Sequence, residues 1–158
     1  MPVITLREIT ADTVRQITSL SVRPEQAHFV AGNAISLAEA LFSQEAWYRA
    51  IYQGESPAGF VMLRDETLRA NPPSQPKVGL WRFMIDARFQ GQGTGKAGLE
   101  QVISHVRSKQ VFASLSTSYV PGPGCPEPFY RRFGFRPTGK FNAKGEVMLE
   151  LILSSNGT

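Results

Sequence analysis

A glycine-rich turn, Gln90–Lys96, contains the residues of this sequence best suited to binding a charged ligand. It follows Val78–Ile85, an apolar and aromatic-rich segment that is typical of a buried strand. It precedes a helical pattern with one apolar face, formed by Leu99, Val102, Ile103 and Val106. Glycines at the start of a helix let several N–H groups point outwards, where the helix dipole favours an anion. Together with the positive charge of Lys96, the turn is predicted to bind a diphosphate.

The spacing within this turn distinguishes three phosphate-binding patterns. A Walker A loop fails twice, because Gln90 stands in place of its first glycine and Ala97 in place of its Ser or Thr. Gly93-x-Gly95-x-x-Gly98 matches the dinucleotide fingerprint, but no acidic residue follows about 20 positions later. Gln90, Gly93 and Gly95 meet a third pattern, Gln/Arg-x-x-Gly-x-Gly/Ala. That pattern is the coenzyme A pyrophosphate signature of the GNAT superfamily of N-acetyltransferases, which this chain resembles.

A second motif, PFYRRFGF at Pro128–Phe135, is similar to the F-Y-x-x-x-G-F pattern of the same family. It lies one predicted strand beyond the glycine turn, where the family places it. Three further stretches resemble bacterial spermine/spermidine acetyltransferase-like proteins: Phe29–Glu39, Trp81–Asp86 and Pro121-Gly122.

The resemblance implies an acetyl-CoA-dependent N-acetyltransferase that moves an acetyl group to a primary amine of a small molecule. A polyamine such as spermidine or spermine is the first choice of acceptor. The residues implied to bind acetyl-CoA are Phe83, Met84, Ile85, Gln90, Gly91, Gln92, Gly93, Thr94, Gly95 and Lys96. Tyr130 would be catalytic near the sulfur, because a phenol with a pKa of about 10 can protonate a thiolate or hydrogen-bond to it. No metal is expected, since no His/Cys/Asp cluster has ligand spacing.

The acceptor site is less defined. Residues predicted to bind the substrate, through carboxylates for ammonium groups and aromatic rings for cation–π contacts, are Glu25, Phe29, Trp81 and Glu127. The general base is unassigned: a water chain is one alternative, and the glutamates that qualify by residue type are Glu25, Glu39, Glu45, Glu127 and Glu146. Two positions depart from the family. Pro123 stands where many members have an asparagine, and Trp81 where some polyamine acetyltransferases have a glutamate base.

The predicted element order, β-α-α-β-β-β-α-β-α-β-β, is the GNAT order. It implies an α/β (α+β) fold with a mixed, mostly antiparallel central sheet of about seven strands flanked by about four helices. Ser36–Glu39 is predicted to form a capping box that starts a helix near Ser36. His105 lies off the apolar face of its helix and is expected to be solvated. A loop is predicted over 65–77 and a strand over 111–120. Residues 1–153 are predicted to form a single domain, and 154–158 a frayed tail.

The composition is that of a globular domain, with 158 residues, 42% apolar and 19% charged. No apolar run approaches the roughly 20 residues of a membrane span, and the first residues lack a signal-peptide pattern. A single cysteine, Cys125, fits a reducing compartment. A cytoplasmic protein with no membrane partner is therefore expected, and a homodimer is considered possible.

The net charge of +4 is scattered, without a Lys/Arg run, which argues against a nucleic-acid partner. It is also mild evidence against a polyamine, because a polycation would favour an acidic surface. Two other functions stay open: acetylation of a protein N-terminus, an amino acid or an aminoglycoside, and non-catalytic binding of acyl-CoA. The missing base and Pro123 favour the non-catalytic alternative, whereas Tyr130 argues against it.

Overall fold

The computed structural model describes residues 2–153, so the predicted tail at 154–158 lies outside the described residues. The strands are β1 (Ile4–Arg7), β2 (Ala46–Gln53), β3 (Ser56–Asp65), β4 (Val78–Ile85), β5 (Ser114–Tyr119), β6 (Arg136–Phe141) and β7 (Val147–Ile152). The α-helices are α1 (Val14–Thr18), α2 (Asn33–Ala40), α3 (Thr94–Ser108) and α4 (Glu127–Arg132). Short 3₁₀ segments lie at Pro24–Phe29, Glu66–Leu68 and Ala87–Phe89.

The seven strands form one sheet in the order β1-β2-β3-β4-β5-β7-β6. The neighbours β4 and β5 run parallel, and the other neighbouring pairs are antiparallel. Parallel neighbours require a crossover connection, and α3 supplies it. The prediction of a mixed, mostly antiparallel sheet of about seven strands with about four helices is confirmed.

The helices cover both faces of the sheet, and each face has its own apolar cluster. On one face, Leu99 of α3 and Tyr130 of α4 pack with Leu115 of β5. On the other face, Ile17 of α1 packs with Met84 of β4, and α2 adds partly buried apolar residues. The strands alternate between these two clusters, as expected when both faces are covered. The sheet itself therefore separates the two faces.

α3 buries the apolar face predicted from its sequence, formed by Leu99, Val102, Ile103 and Val106. The expectation that His105 is solvated is wrong. Its ring is half-buried and stacks on Trp47 of β2, with ring centroids 4.2 Å apart. Burial lowers the pKa of His105, and the charges of Lys109 and Arg49 lower it further. The stack arises because α3 lies across β2, a neighbour distant in sequence.

The predicted capping box at Ser36 is also wrong. α2 begins at Asn33 with Gly32 as its N-cap residue, one turn earlier than predicted. The buried amide of Asn33 donates to the carbonyl oxygen of Ile17 at 2.9 Å, which ties the first turn of α2 to α1. Ser36 therefore lies inside the helix, where its hydroxyl donates to the carbonyl of Gly32 at 3.2 Å. Glu39 forms an ion pair with Arg82 of β4 instead of capping the helix.

Two predicted segments have different bounds in the structure. The loop predicted over 65–77 begins while Asp65 is still in β3, and it contains the 3₁₀ turn Glu66–Leu68. The strand predicted over 111–120 is shorter, since β5 pairs with β7 from Ser114 to Tyr119. Gln110, with φ of +58°, turns the chain after α3 and delays the start of β5.

Asp65 joins the end of β3 to the end of α3. Its side chain is 1% exposed, and Oδ2 accepts a hydrogen bond from Lys109 Nζ at 2.6 Å. The backbone N–H and the hydroxyl of Thr67 donate to Oδ1 at 2.8 and 2.6 Å. Burial alone would raise the pKa of Asp65, but the hydrogen bonds from Lys109 and Thr67 outweigh it and hold the pKa below its usual value.

Replacing Lys109 by Met should lower the free energy of unfolding by about 1–3 kcal/mol at pH 7, because a buried carboxylate loses its charged donor. The pKa of Asp65 is lowered in the folded protein, so the difference should begin to narrow below about pH 4, where the unfolded chain takes up the proton. It should be lost at a still lower pH, where folded Asp65 is protonated and no longer needs the cation. Urea unfolding at pH 7 and at a pH below about 4 measures this difference in the free energy of unfolding. The exposed Lys140→Met variant is the control. If the difference is the same at both pH values, the loss of stability comes from packing and not from the ion pair.

Candidate active site

The central feature of the candidate site is an opening between β4 and β5. The two strands pair only at Val78–Leu115 and Gly79–Ser116 and then diverge. A cleft of about 770 Å³ occupies the space beyond, lined by residues of both strands, the start of α3, and α4. The main-chain groups of β4 that face β5 beyond Gly79 therefore have no backbone partner in β5. The carbonyls of Leu80 and Ile85 accept side-chain hydrogen bonds from Thr117 and Gln90, and the other groups are available to a ligand.

A β-bulge in β4 lies at the mouth of this opening. Leu80 pairs with Leu63 of β3, and Arg82 pairs with Met62, so Trp81 is the extra residue between them. A bulge increases the local twist of a strand and bends it, which here accompanies the separation from β5. Trp81 lines the cleft, as do Phe83, Met84 and Ile85, the segment predicted to bind the cofactor.

The glycine-rich turn forms one end of the cleft. Gly93 is the N-cap residue of α3 with φ of +84°, and Gly91 has φ of +77°, conformations that favour glycine. No side chain caps this helix and no acidic residue lies in its first turn. The first backbone hydrogen bond of the helix runs from the N–H of Ala97 to the carbonyl of Gly93. The N–H groups of residues 94–96 consequently have no intrahelical partner, and together they suit an anion.

The residues of the turn divide into two groups. Gln90, Gly91, Gly93, Gly95 and Lys96 line the cleft. Gln92 and Thr94 instead hydrogen-bond to Gln53 at the end of β2, away from the lining. For these two residues, the backbone N–H groups alone are suited to the predicted binding role.

Gln90 holds the turn in place. Its Nε2 donates to the carbonyl of Ile85 at 2.9 Å and to Oε1 of Gln26 at 2.9 Å. The first bond closes the turn onto the end of β4, and the second attaches it to the 3₁₀ segment Pro24–Phe29. This glutamine therefore shapes the cradle from within, a role that spacing alone does not reveal.

Tyr130 lines the cleft from α4 and is 7% exposed. Its ring packs edge-on against Phe129 and Phe135, with centroids 5.7 and 5.5 Å apart. Burial raises the pKa of Tyr130 to about 12, although a hydrogen bond with Thr117 of β5 acts in the opposite direction. The phenol therefore keeps its proton throughout the physiological range and can act as a hydrogen-bond donor.

Two of the four residues predicted to bind the substrate line the cleft, Phe29 and Trp81. The ring of Phe29 lies 3.9 Å from that of His28, centroid to centroid, and the guanidinium of Arg64 lies 4.0 Å from the centroid of the Trp81 ring. The other two, Glu25 and Glu127, are absent from the lining. Glu25 is exposed, and Glu127 forms an ion pair with Arg131 one turn along α4.

Glu146 is the glutamate that lines the cleft. It immediately precedes β7, and its Oε1 accepts hydrogen bonds from Ser118 Oγ at 2.7 Å and from Asn142 Nδ2 at 2.9 Å. The sequence offered it only as one of five glutamates of the right type. Its proximity to Ser118 depends on the pairing of β5 with β7, which no local motif reports.

One of the two departures from the family pattern lies outside the lining of the cleft. Pro123 is exposed and does not line the cleft, whereas its neighbour Gly124 does.

Within residues 2–153, no three His, Cys, Asp or Glu side chains are grouped as a metal site would require. Over the same residues, no helix has the length and apolar character needed to cross a membrane.

Comparison with known proteins identifies relatives of the whole chain. The model of the acetyltransferase (GNAT) family matches residues 14–135. Spermine/spermidine N(1)-acetyltransferase of Bacillus subtilis (strain 168) is 26% identical over 153 residues, which cover 92% of this chain and 96% of that protein.

Solved structures share the fold. The ribosomal-protein-S18-alanine N-acetyltransferase from Escherichia coli aligns with a TM-score of 0.69 and 15% identity, over 98% of this chain and 97% of its own. An aminoglycoside acetyltransferase in complex with coenzyme A aligns with a TM-score of 0.76 and 13% identity, over 95% of each chain. The resemblance drawn from the two sequence motifs is thereby confirmed. This chain belongs to the GNAT family of acetyltransferases.

Proposed function

We propose that this acetyltransferase moves the acetyl group of acetyl-CoA to a primary amine of a small molecule, with a polyamine such as spermidine or spermine as the acceptor. The observation that carries the proposal is the opening between β4 and β5. It connects the glycine-rich turn on the α3 side of the sheet with an aromatic and acidic region on the other side. The two substrates can therefore enter from opposite faces and meet within the sheet.

The turn side of the cleft fits coenzyme A. The N–H groups of residues 94–96 and the exposed Lys96 suit the diphosphate, and the helix dipole of α3 adds to the attraction. The edge of β4 at Phe83–Ile85 has no partner strand on the β5 side, although the carbonyl of Ile85 accepts a hydrogen bond from Gln90. Its remaining groups suit the amides of the pantetheine arm, which can hydrogen-bond to them as a short extra strand would. The same edge can donate an N–H to the acetyl carbonyl oxygen, which becomes negatively charged during the reaction.

The chemistry requires a neutral amine, because only its lone pair can attack the carbonyl carbon. The new C–N bond forms as the C–S bond breaks, the amine loses a proton to solvent or to a base, and the sulfur leaves as a thiolate that finally takes up a proton. Tyr130 is proposed to hydrogen-bond to that sulfur. With a pKa of about 12, well above the roughly 8.5 typical of a thiol, its phenol is better suited to stabilising the thiolate than to giving up its proton.

The acceptor side of the cleft supports a cationic amine. The aromatic ring of Phe29 offers a face for an ammonium group, at roughly 0.5–2 kcal/mol. Trp81 also lines this side, but the guanidinium of Arg64 already lies over its ring, 4.0 Å from the centroid. Glu146 supplies a carboxylate. The similarity to a Bacillus protein named as a spermine/spermidine acetyltransferase agrees with this choice.

Substituting Gly93 by Val should weaken binding of coenzyme A by roughly 10- to 100-fold. Valine strains a backbone with φ of +84°, by about 1–3 kcal/mol, and relief of that strain would turn the N–H groups of residues 94–96 away. Calorimetric titration with coenzyme A measures the dissociation constant.

Gly139→Val is the matched control for that change. Gly139 also has φ of +84° with open space around its Cα, but it lies on β6 outside the cleft. Both variants should lose similar stability, and only Gly93→Val should lose affinity. Equal affinity for coenzyme A in the two folded variants would show that the turn is not part of the binding site.

Tyr130→Phe keeps the ring and removes the hydroxyl, so cofactor affinity should change little. Turnover should fall by roughly 10- to 10³-fold, because the developing thiolate loses a hydrogen-bond donor. Thr117 keeps its bond to the carbonyl of Leu80, which limits the loss of stability. In the wild-type protein, the rate should rise with pH as the amine deprotonates near about 10.4, without a falling limb from Tyr130 because its pKa is about 12.

Tyr52→Phe, a buried tyrosine in the opposite cluster, serves as the control for Tyr130→Phe. Steady-state assays of released thiol across pH 7–10 provide the measurement. Unchanged turnover in Tyr130→Phe would make Tyr130 a packing residue only.

The polyamine assignment is tested by comparing spermidine with a monoamine of similar length. At subsaturating amine, kcat/KM for spermidine should be higher by at least roughly tenfold, since one good ion pair in a partly desolvated site contributes about 1.4 kcal/mol or more. Equal values would mean that nothing in the site recognises the second charge. The polyamine would then be rejected as the acceptor, while transfer to the monoamine would still support acetyltransferase activity.

A further inference from the structure

The acidic residues of this chain are distributed unevenly around the cleft. The sequence contains 13 Asp and Glu residues, all of them within the described range 2–153, and among these Glu146 alone lines the cleft. Glu25 and Glu127 are excluded from the lining, and Glu39 is paired with Arg82. Glu146 is therefore the carboxylate placed to contact an amine bound in the cleft.

The contacts of Glu146 hold its carboxylate in one orientation. Both donors, Ser118 Oγ and Asn142 Nδ2, bind Oε1. The backbone N–H of Glu146 donates to Oδ1 of Asn142 at 2.9 Å, so the side chain and main chain of the same turn are fixed together. Oε2 accepts none of the hydrogen bonds of the described residues, and it is the oxygen that remains for a ligand.

Glu146 lies on the face of the sheet opposite Tyr130. Successive residues of a strand point to opposite faces. Leu115 of β5 packs in the same cluster as Tyr130, so Thr117 points to that face and Ser118 points to the other. Trp81 belongs to the cluster formed with α1 and α2 on that other face. Because Ser118 holds Glu146, the carboxylate and Trp81 share the side from which the acceptor is proposed to enter.

The cationic residues of the cleft do not prevent Glu146 from binding an ammonium group. Arg82 is neutralised by Glu39 at 2.8 Å. Lys96 and Arg132 belong to the α3 and α4 side, where phosphates are proposed to bind. Lys144 is exposed in the same turn as Glu146. Its positive charge opposes the attraction of a cation to this end of the cleft.

We propose that Glu146 binds the second ammonium group of the acceptor and so selects diamines and polyamines over monoamines. The inference rests on the proposed transfer to polyamines. A carboxylate that already accepts two hydrogen bonds at one oxygen is an oriented partner for a cation. It acts in ground and transition states alike, so it should affect KM more than kcat. Glu146 is thus a specificity-determining residue rather than the general base.

Glu146→Gln tests this role, because glutamine keeps the size of the side chain and an oxygen that can accept both hydrogen bonds. The ratio of kcat/KM for spermidine to that for the monoamine should fall by roughly tenfold or more, mainly through KM, while kcat/KM for the monoamine falls by a smaller factor. Glu150→Gln, on β7 outside the cleft lining, should leave the ratio unchanged. Ser118→Ala keeps the charge and removes one of the two hydrogen bonds that orient the carboxylate, so it should lower the ratio by a smaller factor.

The outcomes separate this inference from the proposed function. An equal loss for both amines, with a changed pH profile, would make Glu146 a base and overturn the role proposed here. An unchanged ratio in Glu146→Gln and Ser118→Ala would also overturn it, while the polyamine preference of the wild-type protein would stand.

A binding measurement tests the carboxylate independently of turnover. Calorimetric titration of spermidine into the wild-type protein with coenzyme A present should give a dissociation constant that rises by roughly tenfold in Glu146→Gln. Weaker binding in this variant would support the inference even if the wild-type protein transferred no acetyl group, an outcome that would contradict the proposed function alone. Unchanged spermidine affinity, in a variant with an unchanged thermal unfolding midpoint, would overturn it. If Glu146→Gln does not fold, Ser118→Ala provides the same comparison.

Discussion

The separation of β4 from β5 is the constraint on which the rest of the site depends. A parallel pair inside a covered sheet would ordinarily continue its hydrogen bonds along both strands. Here the ladder ends after Gly79 and Ser116. The hydroxyl of Thr117 donates to the carbonyl of Leu80 at 3.4 Å, so a side chain takes over where the backbone ladder stops. The bulge at Trp81 bends β4 at the same level, which keeps the opening from closing.

Polar residues attach the glycine-rich turn to the end of β4 and to the segment 21–26. Asp86, just after β4, is buried, and it accepts a hydrogen bond from the backbone N–H of Ser21 at 2.9 Å and one from Arg88 Nε at 2.7 Å. Burial alone would raise the pKa of Asp86, but the bonds from Arg88 and Ser21 outweigh it and keep the pKa low. Gln90 adds the link to Gln26. The start of α3 is therefore held rigidly relative to β4, which a preorganised anion site requires.

Local charge in the cleft differs from the net charge of the chain. The total of +4 is positive, and Lys96 and Arg132 place part of it on the side where phosphates are proposed to bind. On the opposite face, Glu146 contributes a carboxylate, and Arg82 is compensated by Glu39. The sheet separates these two environments, so a polyanion and a cation can both be accommodated. Net charge was for this reason a weak guide to the acceptor.

Short-range patterns were sufficient for the family, the order of the elements and the position of the glycine-rich turn. Glycine spacing depends on backbone conformations at Gly91 and Gly93 that are local, and the apolar face of α3 depends on helical periodicity. Both are properties of neighbouring residues, so the sequence by itself determined them. The predicted cap at Ser36 failed because a distant partner of Asn33, the carbonyl of Ile17, extends α2 by a turn.

Tertiary structure decided the features that depend on residues far apart in the chain. The bulge at Trp81 requires the register of β3 against β4, and the opening requires the divergence of β4 from β5. The raised pKa of Tyr130 comes from burial among elements that meet only in the folded protein. Among five glutamates of equal standing, pairing of β5 with β7 brought Glu146 to the cleft. Side-chain type is local, whereas the environment that makes it useful is created by long-range packing.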